Sequence, residues 1–588
     1  QMRNLKRALS LALAAIMLVG MMVVSASAAS YNDLTDKDQI VNKDAVSMLV
    51  SLGIIEGKPD GSYAPTENVD RAQMAKMLSV IMNKGVDNSA LYQSVNSGLV
   101  DVNTNWAKGH INYCYTTGII AGRGNGTFDP SATVTALEAA KMLLVAVGYD
   151  PAIEGFEGAD WAINVSVRAD EQGIFEGFTK DLSAPLNRDD AALLIYNALD
   201  VEMIQSYTTN NYPIAYSDHR TILADKYGVI KVQGVVVANE WASLASDDGD
   251  AALKEGKTTI YNGEGIFSTT GNTTVSKEDA SLKTQTFNVS TPVDMLGKTV
   301  NLYIKKTTIL ADSTVYGDPV VSDVNTVVTT GETVLYSGAK DPQVDYDKLL
   351  GENGLTDKDA KYFWNYNSGK YIHNTTEKYG DKTANVKGAT LTIIDNNGDG
   401  EVDYVLSVEK ALADITSVNS KKETVTVRTL GTLDNKDVVG YEDMAKEDVV
   451  LYVQYGGRTY LEKPEVVTGE MEHFNVKGTE KYMTVGGEKY KADELETNAR
   501  TEVVKFDVTE CDKANGVQFE TSYNFYLDDY GNVIAFEEVE AAAKNYALVL
   551  DSAFSTNMLN TSGQVKVLLP DGTTKTYELN WDNSVKSW

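Results

Sequence analysis

The chain has 588 residues and a formal net charge of −31, and its two cysteines, Cys114 and Cys511, are too few for a disulfide framework. So large an acidic excess argues against binding nucleic acid or anionic membranes, because phosphate recognition needs a basic surface. The excess suits a surface protein in a medium that contains divalent cations, although simple solubility explains it equally well.

The beginning of the chain is typical of an exported protein. Residues 2–28 hold a basic start, an apolar run and the small residues Ala26-Ser27-Ala28. This order predicts a secretory signal peptide that is cleaved after Ala28. The alternative is an uncleaved membrane anchor. No later stretch approaches the ~18 consecutive apolar residues of a transmembrane helix, so we expect no membrane insertion after signal cleavage.

Residues 31–202 contain three related segments, at about 31–85, 99–148 and 160–202. Their best-matched stretches begin at Gly53, Gly118 and Gly173, which are 65 and then 55 positions apart, and the third has a loop three residues shorter. Each stretch predicts the end of one helix, a glycine-rich loop and the start of a second helix. Thr135 and Glu138 form a predicted capping box at one such start. Regular self-similarity of this kind predicts a repeat architecture.

Two short motifs recur within the repeats. The first helix carries Trp106-Ala107 and Trp161-Ala162, with Val41 at the matching place of the first repeat. The second helix begins with Asp70-Arg71-Ala72-Gln73, Thr135-Ala136-Leu137-Glu138 and Asn187-Arg188-Asp189-Asp190. These segments resemble the S-layer homology family, whose pattern has Trp-Ala in the first helix and Thr-Arg-Ala-Glu at the start of the second. The resemblance covers under a third of the chain.

The resemblance implies an all-α bundle of three repeats with pseudo-threefold symmetry. It also implies that grooves between repeats bind a cell-wall polysaccharide, often a pyruvylated secondary polymer. The residues that it assigns to glycan binding are Arg71, Arg188, Trp106, Trp161, Asp101 and Asp33. Arg123 is the candidate substitute for the arginine that Ala136 replaces in the second repeat.

The chemistry of these residue types is compatible with that role. A guanidinium matches a carboxylate with a planar set of donors, and a tryptophan face covers a sugar ring. The alternatives are that the arginines are solvated first-turn side chains, that the tryptophans belong to the core and that Asp101 is only a cap. Because each repeat lacks part of the family pattern, we expect one or two working grooves rather than three.

The rest of the chain is rich in strand signals. After a predicted linker at 203–213, alternating apolar runs are separated by turn residues, which predicts two or more sandwich-like all-β domains at 214–410 and 411–588. The clearest predicted strands are Val229–Val237, Lys298–Ile304, Thr424–Val427, Val449–Tyr455, Ser522–Leu527 and Val565–Leu569. The sequence ends soon after a strand pattern, which is compatible with truncation.

One loop within the β-rich part has the spacing of a calcium site. Residues 395–403 place oxygen ligands at alternate positions and a glycine at the sharp turn, which suits Ca²⁺. The predicted metal ligands are Asp395, Asn397, Asp399, Glu401 and Asp403. Leu406 occupies the position of the last EF-hand ligand, so the loop is not an EF-hand. The alternative is a polar hairpin turn without metal.

No catalytic motif is evident. The four histidines are scattered, no Gly-x-Ser-x-Gly sequence occurs, and the abundant carboxylates do not single out an acid–base pair. We therefore interpret the sequence as a non-enzymatic, secreted S-layer-like protein of the bacterial cell surface. Its repeats would bind wall polysaccharide non-covalently, and its β-rich modules would self-associate into a lattice or decorate one. The alternatives are a wall-anchored glycan hydrolase and a surface adhesin.

Overall fold

The structure is a computed structural model of the chain. It describes residues 31–244, 252–263, 283–305, 313–331, 334–335, 344–368, 389–478, 480–493, 495–539, 547–556, 561–569 and 572–579. The predicted signal peptide, 2–28, and the last residues, which bear on truncation, lie outside this part of the chain. Within the described residues, no helix is both long enough and apolar enough to cross a membrane.

The N-terminal part is helical, as the repeats predict. Its six α-helices are α1 Lys43–Ser51, α2 Arg71–Met82, α3 Lys108–Thr116, α4 Ala136–Val147, α5 Trp161–Glu171 and α6 Arg188–Leu199. Each repeat contributes two consecutive helices. The predicted capping box at the start of α4 is confirmed, because the Thr135 side chain accepts from the backbone of Glu138 and the Glu138 side chain accepts from the backbone of Thr135.

The three repeats close into a ring around a pseudo-threefold axis. The Val69 amide donates to the Leu186 carbonyl (2.9 Å), the Leu186 amide to the Val134 carbonyl (2.7 Å) and the Val134 amide to the Val69 carbonyl (2.9 Å). These residues lie just before α2, α4 and α6, and they occupy equivalent positions of the three repeats. The closed set of hydrogen bonds requires all three repeats, so none of them completes this fold alone.

The remainder of the described chain is mostly β-structure. The strands before residue 410 are β1 Ile204–Tyr207, β2 Pro213–Ala215, β3 Val229–Asn239, β4 Thr258–Tyr261, β5 Thr284–Phe287, β6 Thr299–Lys305, β7 Val315–Val321, β8 Thr326–Thr330, β9 Val334–Leu335, β10 Val344–Asp345, β11 Lys361–Trp364, β12 Asn367–Ser368, β13 Ala389–Asp395 and β14 Tyr404–Glu409. A short helix, α7 Tyr346–Glu352, lies between β10 and β11.

Sixteen further strands follow in the described residues. They are β15 Ala411–Asn419, β16 Thr424–Val427, β17 Gly431–Asp434, β18 Val438–Val439, β19 Val449–Tyr455, β20 Arg458–Glu462, β21 Val466–Asn475, β22 Tyr482–Val485, β23 Glu488–Tyr490, β24 Glu496–Thr497, β25 Val504–Lys505, β26 Ser522–Leu527, β27 Val533–Glu538, β28 Leu548–Thr556, β29 Thr561–Leu568 and β30 Thr574–Leu579.

The larger sheets follow one another along the chain. Their strand orders are β5-β4-β3-β6-β7, β12-β11-β14-β13-β8, β17-β16-β15-β19-β20-β18 and β23-β22-β21-β26-β27-β25, followed by the smaller β28-β29-β30. The first two share one buried cluster, which joins Val232 and Leu302 to Ile394 and Leu406. This arrangement confirms the predicted fold class: a multidomain chain with an all-α bundle followed by all-β modules.

The helical bundle is attached directly to the first sheet. Its apolar core includes Val229 of β3 and Tyr303 of β6, and the Tyr196 hydroxyl of α6 donates to the Tyr303 hydroxyl at 3.0 Å. The predicted linker, 203–213, contains β1, which pairs with β2. Cutting the chain at the end of the repeats would therefore remove residues of the bundle's own core.

Candidate glycan-binding sites

Arg71, at the start of α2, reaches into the loop of the second repeat. Its Nε donates to the Phe128 carbonyl at 2.8 Å and an Nη donates to the Ala121 carbonyl at 3.1 Å. The guanidinium lies over the Phe128 ring, 4.5 Å from its centroid, and the residue is only 4% exposed. Burial and the nearby charge of Arg123 lower the pKa of Arg71. Arg71 thus joins two repeats, a role that its first-turn position did not reveal.

Arg188, at the start of α6, makes the same contacts with the loop of the first repeat. Its Nε donates to the Tyr63 carbonyl at 2.8 Å, an Nη donates to the Glu56 carbonyl at 3.3 Å, and the guanidinium lies 4.8 Å from the Tyr63 ring centroid. Arg188 is half-buried. Both predicted arginines therefore connect their own repeat to the loop of another repeat, and neither is a freely solvated side chain.

The missing arginine of the second repeat has a structural explanation. Ala136 begins α4, and the neighbouring Leu137 amide donates to the Leu182 carbonyl of the third repeat at 3.1 Å. The third repeat is the one whose loop is three residues shorter. Because the loop that would receive the guanidinium is reduced, alanine at this position is consistent with the altered interface.

Asp101 holds the loop onto which Arg71 folds. Its carboxylate accepts from the Phe128 amide at 2.9 Å and from the Asp129 amide at 2.7 Å. Partial burial opposes the charged form, but these hydrogen bonds outweigh it and lower the pKa of Asp101. Asp129 has a φ of 61°, so the carboxylate stabilises backbone in the left-handed region.

The equivalent residue of the first repeat is Asp36, and the prediction of Asp33 is wrong as a match to Asp101. The Asp36 carboxylate accepts from the Tyr63 and Ala64 amides, both at 2.7 Å. Ala64 has a φ of 56°, like Asp129. Asp36 precedes Asp101 by the same 65 positions that separate the other equivalents of the first two repeats, so this spacing identifies the match. Asp33 is exposed in a short 3₁₀-helix.

The tryptophans occupy equivalent places at the first helices but differ in exposure. Trp106 is 58% exposed, and its ring lies 6.4 Å from His110 with an edge-to-face geometry. Trp161 is partly buried against the helical core, and the Lys141 ammonium lies 5.7 Å from its ring centroid. The matching Val41 is 83% exposed. The structure thus places one tryptophan at the surface and one at the boundary of the core.

Several basic side chains form a connected group that reaches Trp161 through Lys141. We call this group cluster A, and its members are Arg71, Arg123, Glu138, Lys141 and Trp161. An Nη of Arg123 donates to Glu138 at 2.7 Å, and Glu138 lies 3.7 Å from the Arg71 guanidinium. Burial, together with the charge of Arg71, lowers the pKa of Lys141, although Glu157 opposes this. Arg123 is the exposed member, so it is the guanidinium most accessible to a ligand.

A related group of side chains occupies the corresponding positions that include Trp106, whose ring contacts His110. We call it cluster B, and its members are Arg188, Lys58, Lys76, His110 and Trp106. Lys58 pairs with Glu67, whose carbonyl accepts from the Arg188 amide, and the Lys76 ammonium lies 3.9 Å from Glu56. Burial and the charge of Lys76 lower the pKa of His110, although Asp87 opposes this.

Four members of each cluster are equivalent, whereas Glu138 corresponds to Gln73 and His110 to Val165. Arg71 corresponds to Arg188 by its position at the start of the second helix. Lys58 and Lys76 precede Arg123 and Lys141 by 65 positions each. Sequence reasoning did not select the three lysines, although this fixed spacing would have identified them. At the third equivalent place of the bundle, Ala136 replaces the arginine, Val41 replaces the tryptophan and Leu193 replaces the lysine on the helix.

The predicted calcium loop connects β13 to β14. The buried Asp395 carboxylate accepts from the amides of Asn397 (3.1 Å), Gly398 (2.8 Å) and Gly400 (3.0 Å). Asp403 accepts from the Asn396 amide at 2.8 Å, and Glu401 pairs with Lys358. Burial raises the pKa of Asp403. These contacts are those of a well-organised polar turn.

Among the described residues, no three histidine, cysteine, aspartate or glutamate side chains converge as they would in a formed metal site. The five predicted ligands, Asp395, Asn397, Asp399, Glu401 and Asp403, therefore do not form a ready cage of carboxylates. Calcium binding by this loop stays a prediction.

Two segments of the helical bundle match a family of known proteins. The model of the S-layer homology domain matches residues 30–75 and 100–140, which lie in the first and second repeats. The helical bundle therefore contains S-layer homology repeats. Its third repeat falls outside the matched segments but completes the ring of hydrogen bonds described above. This domain, together with the relatives, places the protein at the bacterial cell wall and surface.

The relatives include surface proteins and an enzyme. A cell surface protein of Thermoanaerobacter kivui is 27% identical over 270 residues, which are 46% of this chain and 32% of that protein. An S-layer protein of Bacillus licheniformis is 32% identical over 113 residues, 19% of this chain and 12% of that protein. An amylopullulanase of Thermoanaerobacterium thermosulfurigenes is 30% identical over 186 residues, 29% of this chain and 10% of that protein. The chain spans about a third or less of each of these proteins.

Proposed function

We propose that the S-layer homology domain anchors the protein to an anionic cell-wall polysaccharide through clusters A and B, and that the β-rich modules form or decorate a surface layer. The observation that carries this proposal is that four positions recur at two equivalent places of the bundle: an arginine at the start of a second helix, a cation in a loop, a lysine on a helix and a tryptophan. The chain has a net charge of −31, and cations placed at random in it would not recur at equivalent positions in this way.

The chemistry of the clusters defines the class of ligand. The exposed guanidinium of Arg123 offers paired donors to a carboxylate, and the exposed ring of Trp106 offers a flat apolar face to a sugar. A polymer that carries carboxylates on its sugars, such as the pyruvyl ketals of a secondary wall polymer, presents both groups. Arg71, Arg123, Lys58 and Lys76 already have acidic neighbours, so a ligand carboxylate would replace or share these ion pairs.

The test uses the exposed members of the two clusters. Arg71 and Arg188 are unsuitable, because replacing them would break the contacts between repeats. Arg123→Ala and Trp106→Ala, separately and combined, should weaken co-sedimentation of the full-length protein with purified native walls. Val41→Ala is the matched control, since it changes the tryptophan position of the third, degenerate place.

Walls stripped of their secondary polymer provide the second arm of the experiment. We expect the unmodified protein to bind native walls and to lose that binding on stripped walls. If the combined variant binds native walls as tightly as the unmodified protein, clusters A and B are not the binding sites. Equal binding to both kinds of wall would instead make peptidoglycan the ligand.

A second candidate function is suggested by the likeness to the amylopullulanase. In that case the same domain would anchor a glycan hydrolase to the wall. Release of reducing sugar from a polysaccharide by the purified protein would support this function, whereas a surface-layer protein should show no turnover.

A further inference from the structure

Cluster B contains a buried polar pair where cluster A has an apolar one. His110 of α3 contacts Ser79 of α2, and both residues are only 4% exposed. Their counterparts near cluster A are Val165 of α5 and Leu144 of α4, which are fully buried in the apolar core. Apolar side chains therefore fill this place in the same fold, and they do so without the desolvation that a buried polar pair requires.

The hydrogen bonds of Ser79 determine which ring nitrogen of His110 carries a proton. The Ser79 hydroxyl donates to the Lys76 carbonyl at 3.0 Å, and its oxygen lies 2.5 Å from Nδ1 of His110. A hydroxyl has a single proton to donate, so Nδ1 is the donor in the second contact and Nε2 of the neutral ring is bare. Nε2 lies 3.7 Å from the Asp87 carboxylate. A proton added at Nε2 therefore faces a carboxylate that is already in place.

Charged groups act on His110 from two elements. Burial lowers the pKa of His110, Lys76 on α2 adds to this effect, and Asp87 in the connection before α3 opposes it. One turn further along α3, burial raises the pKa of the Cys114 thiol, which is therefore uncharged near neutral pH. Tyr92, from the short turn that lies along α3, packs edge-to-face on another tyrosine instead. The charge of this place near neutral pH thus changes through His110.

His110 lies beside the groups of cluster B that are assigned to the ligand. The exposed Trp106 is one turn earlier on α3, and its ring lies 6.4 Å from that of His110. Lys76 is one turn from Ser79 on α2, so it lies on the same face of that helix. In surroundings between water and protein, a unit charge about 10 Å from a carboxylate changes the affinity by about three- to fifteenfold. Protonation of the ring can therefore alter the binding of an anion that it does not touch.

We propose that His110 makes the binding of an anionic wall polysaccharide by cluster B depend on pH, with tighter binding when the ring is protonated. A bound anion favours the charged ring, so the affinity rises as the pH falls through the range in which His110 titrates. Cluster A contains no histidine and has Val165 at the equivalent position, so its affinity stays nearly constant over this range. The inference rests on the proposed function and adds a regulation of one of its two sites.

Isothermal titration with purified secondary-polymer fragments tests the difference between the clusters. In the full-length protein, Arg123→Ala leaves cluster B as the working site and Trp106→Ala leaves cluster A. The titrations are made at about pH 8 and about pH 5, on either side of the usual histidine range, and the ligand's carboxylates are ionised at both. We expect the Arg123→Ala protein to bind at least about threefold more tightly at the lower pH, and the Trp106→Ala protein to bind equally at both. Circular dichroism at each pH checks that the bundle stays folded.

Two further changes remove the ring from the Arg123→Ala protein. Ser79→Leu combined with His110→Val copies the apolar pair near cluster A. His110→Gln keeps a hydrogen-bonding group beside Ser79, and it replaces the double change if that protein does not fold. Either change should give the same affinity at both pH values. His219→Gln is the matched control, because this histidine is exposed and pairs with Glu202 outside both clusters; it should leave the pH dependence as it was.

The outcomes separate this inference from the proposed function. Binding of equal affinity at both pH values in the Arg123→Ala protein would overturn the role of His110 and leave the proposed function standing. A pH dependence that persists after the ring is removed, or that is the same for both clusters, would overturn it as well. If neither single-cluster protein binds fragments at either pH, the proposed function is refuted, and this inference with it.

Discussion

Replacing Arg71 by alanine should lower the free energy of unfolding of the helical bundle, even when no ligand is present. The side chain makes two hydrogen bonds to carbonyls of the second repeat, at 2.8 and 3.1 Å, and lies 4.5 Å from the Phe128 ring centroid. Alanine removes all three contacts and leaves the Phe128 and Ala121 carbonyls without these donors. The change therefore opens the contact between α2 and the neighbouring loop.

The magnitude follows from these contacts. A hydrogen bond from a charged donor contributes about 1.5–3 kcal/mol, and the cation–π contact contributes about 1 kcal/mol. Part of this is offset, because the variant no longer buries a guanidinium, whose desolvation opposes folding. We expect a net loss of about 3 kcal/mol in the free energy of unfolding, which is large beside the roughly 5–15 kcal/mol of a typical domain.

Denaturant unfolding followed by circular dichroism at a helix-sensitive wavelength measures this loss, since six of the seven described α-helices belong to the bundle. Arg123→Ala is the matched control: this arginine is exposed, and its ion pairs should contribute only about 0–1 kcal/mol. If Arg71→Ala is no more destabilising than Arg123→Ala, the buried arginine does not hold the repeats together.

Three further predictions concern other groups. Asp36→Ala should cost about 2–4 kcal/mol of unfolding free energy, because two backbone amides lose their acceptor. Asp33→Ala should cost less, because Asp33 is exposed and does not accept from these two amides. Equal effects of the two changes in a denaturant titration would contradict the reassignment. Burial lowers the pKa of His110 below its usual 6.5, so the unfolded state binds a proton more readily than the folded state does. The free energy of unfolding should therefore fall as the pH drops through 6.5 towards the lowered pKa. The same pH profile in His110→Gln would assign that fall to other groups. If the loop at 395–403 binds Ca²⁺, the ion should raise the melting temperature of the unmodified protein but not of Asp399→Ala, and an identical rise in both would exclude the loop.

Local features of the bundle followed from the sequence. The capping box of Thr135 and Glu138 and the left-handed glycine at 118, with a φ of 80°, depend on neighbouring residues, so short patterns predict them. The order of a helical region before β-rich modules also followed from hydrophobic periodicity.

The contacts between repeats did not follow from the sequence. A repeat shows which positions are equivalent, but it does not show that Arg71 folds into the loop of the next repeat rather than into its own groove. The lysines of the two clusters were overlooked for a related reason: Lys76 and Lys141 look like ordinary surface charges until the helices are placed beside the tryptophans. Likewise, the parallel pairing of β11 with β14 joins segments far apart in the chain, which local strand patterns do not specify.

The most direct test of the central claim is the number of polymer fragments that one full-length chain binds, measured by isothermal titration with purified secondary-polymer fragments. Two equivalent clusters and one degenerate position predict two fragments per chain, and Trp106→Ala or Arg123→Ala should each remove one. Three fragments per chain, or two that neither variant changes, would contradict the assignment of clusters A and B as the wall-binding sites.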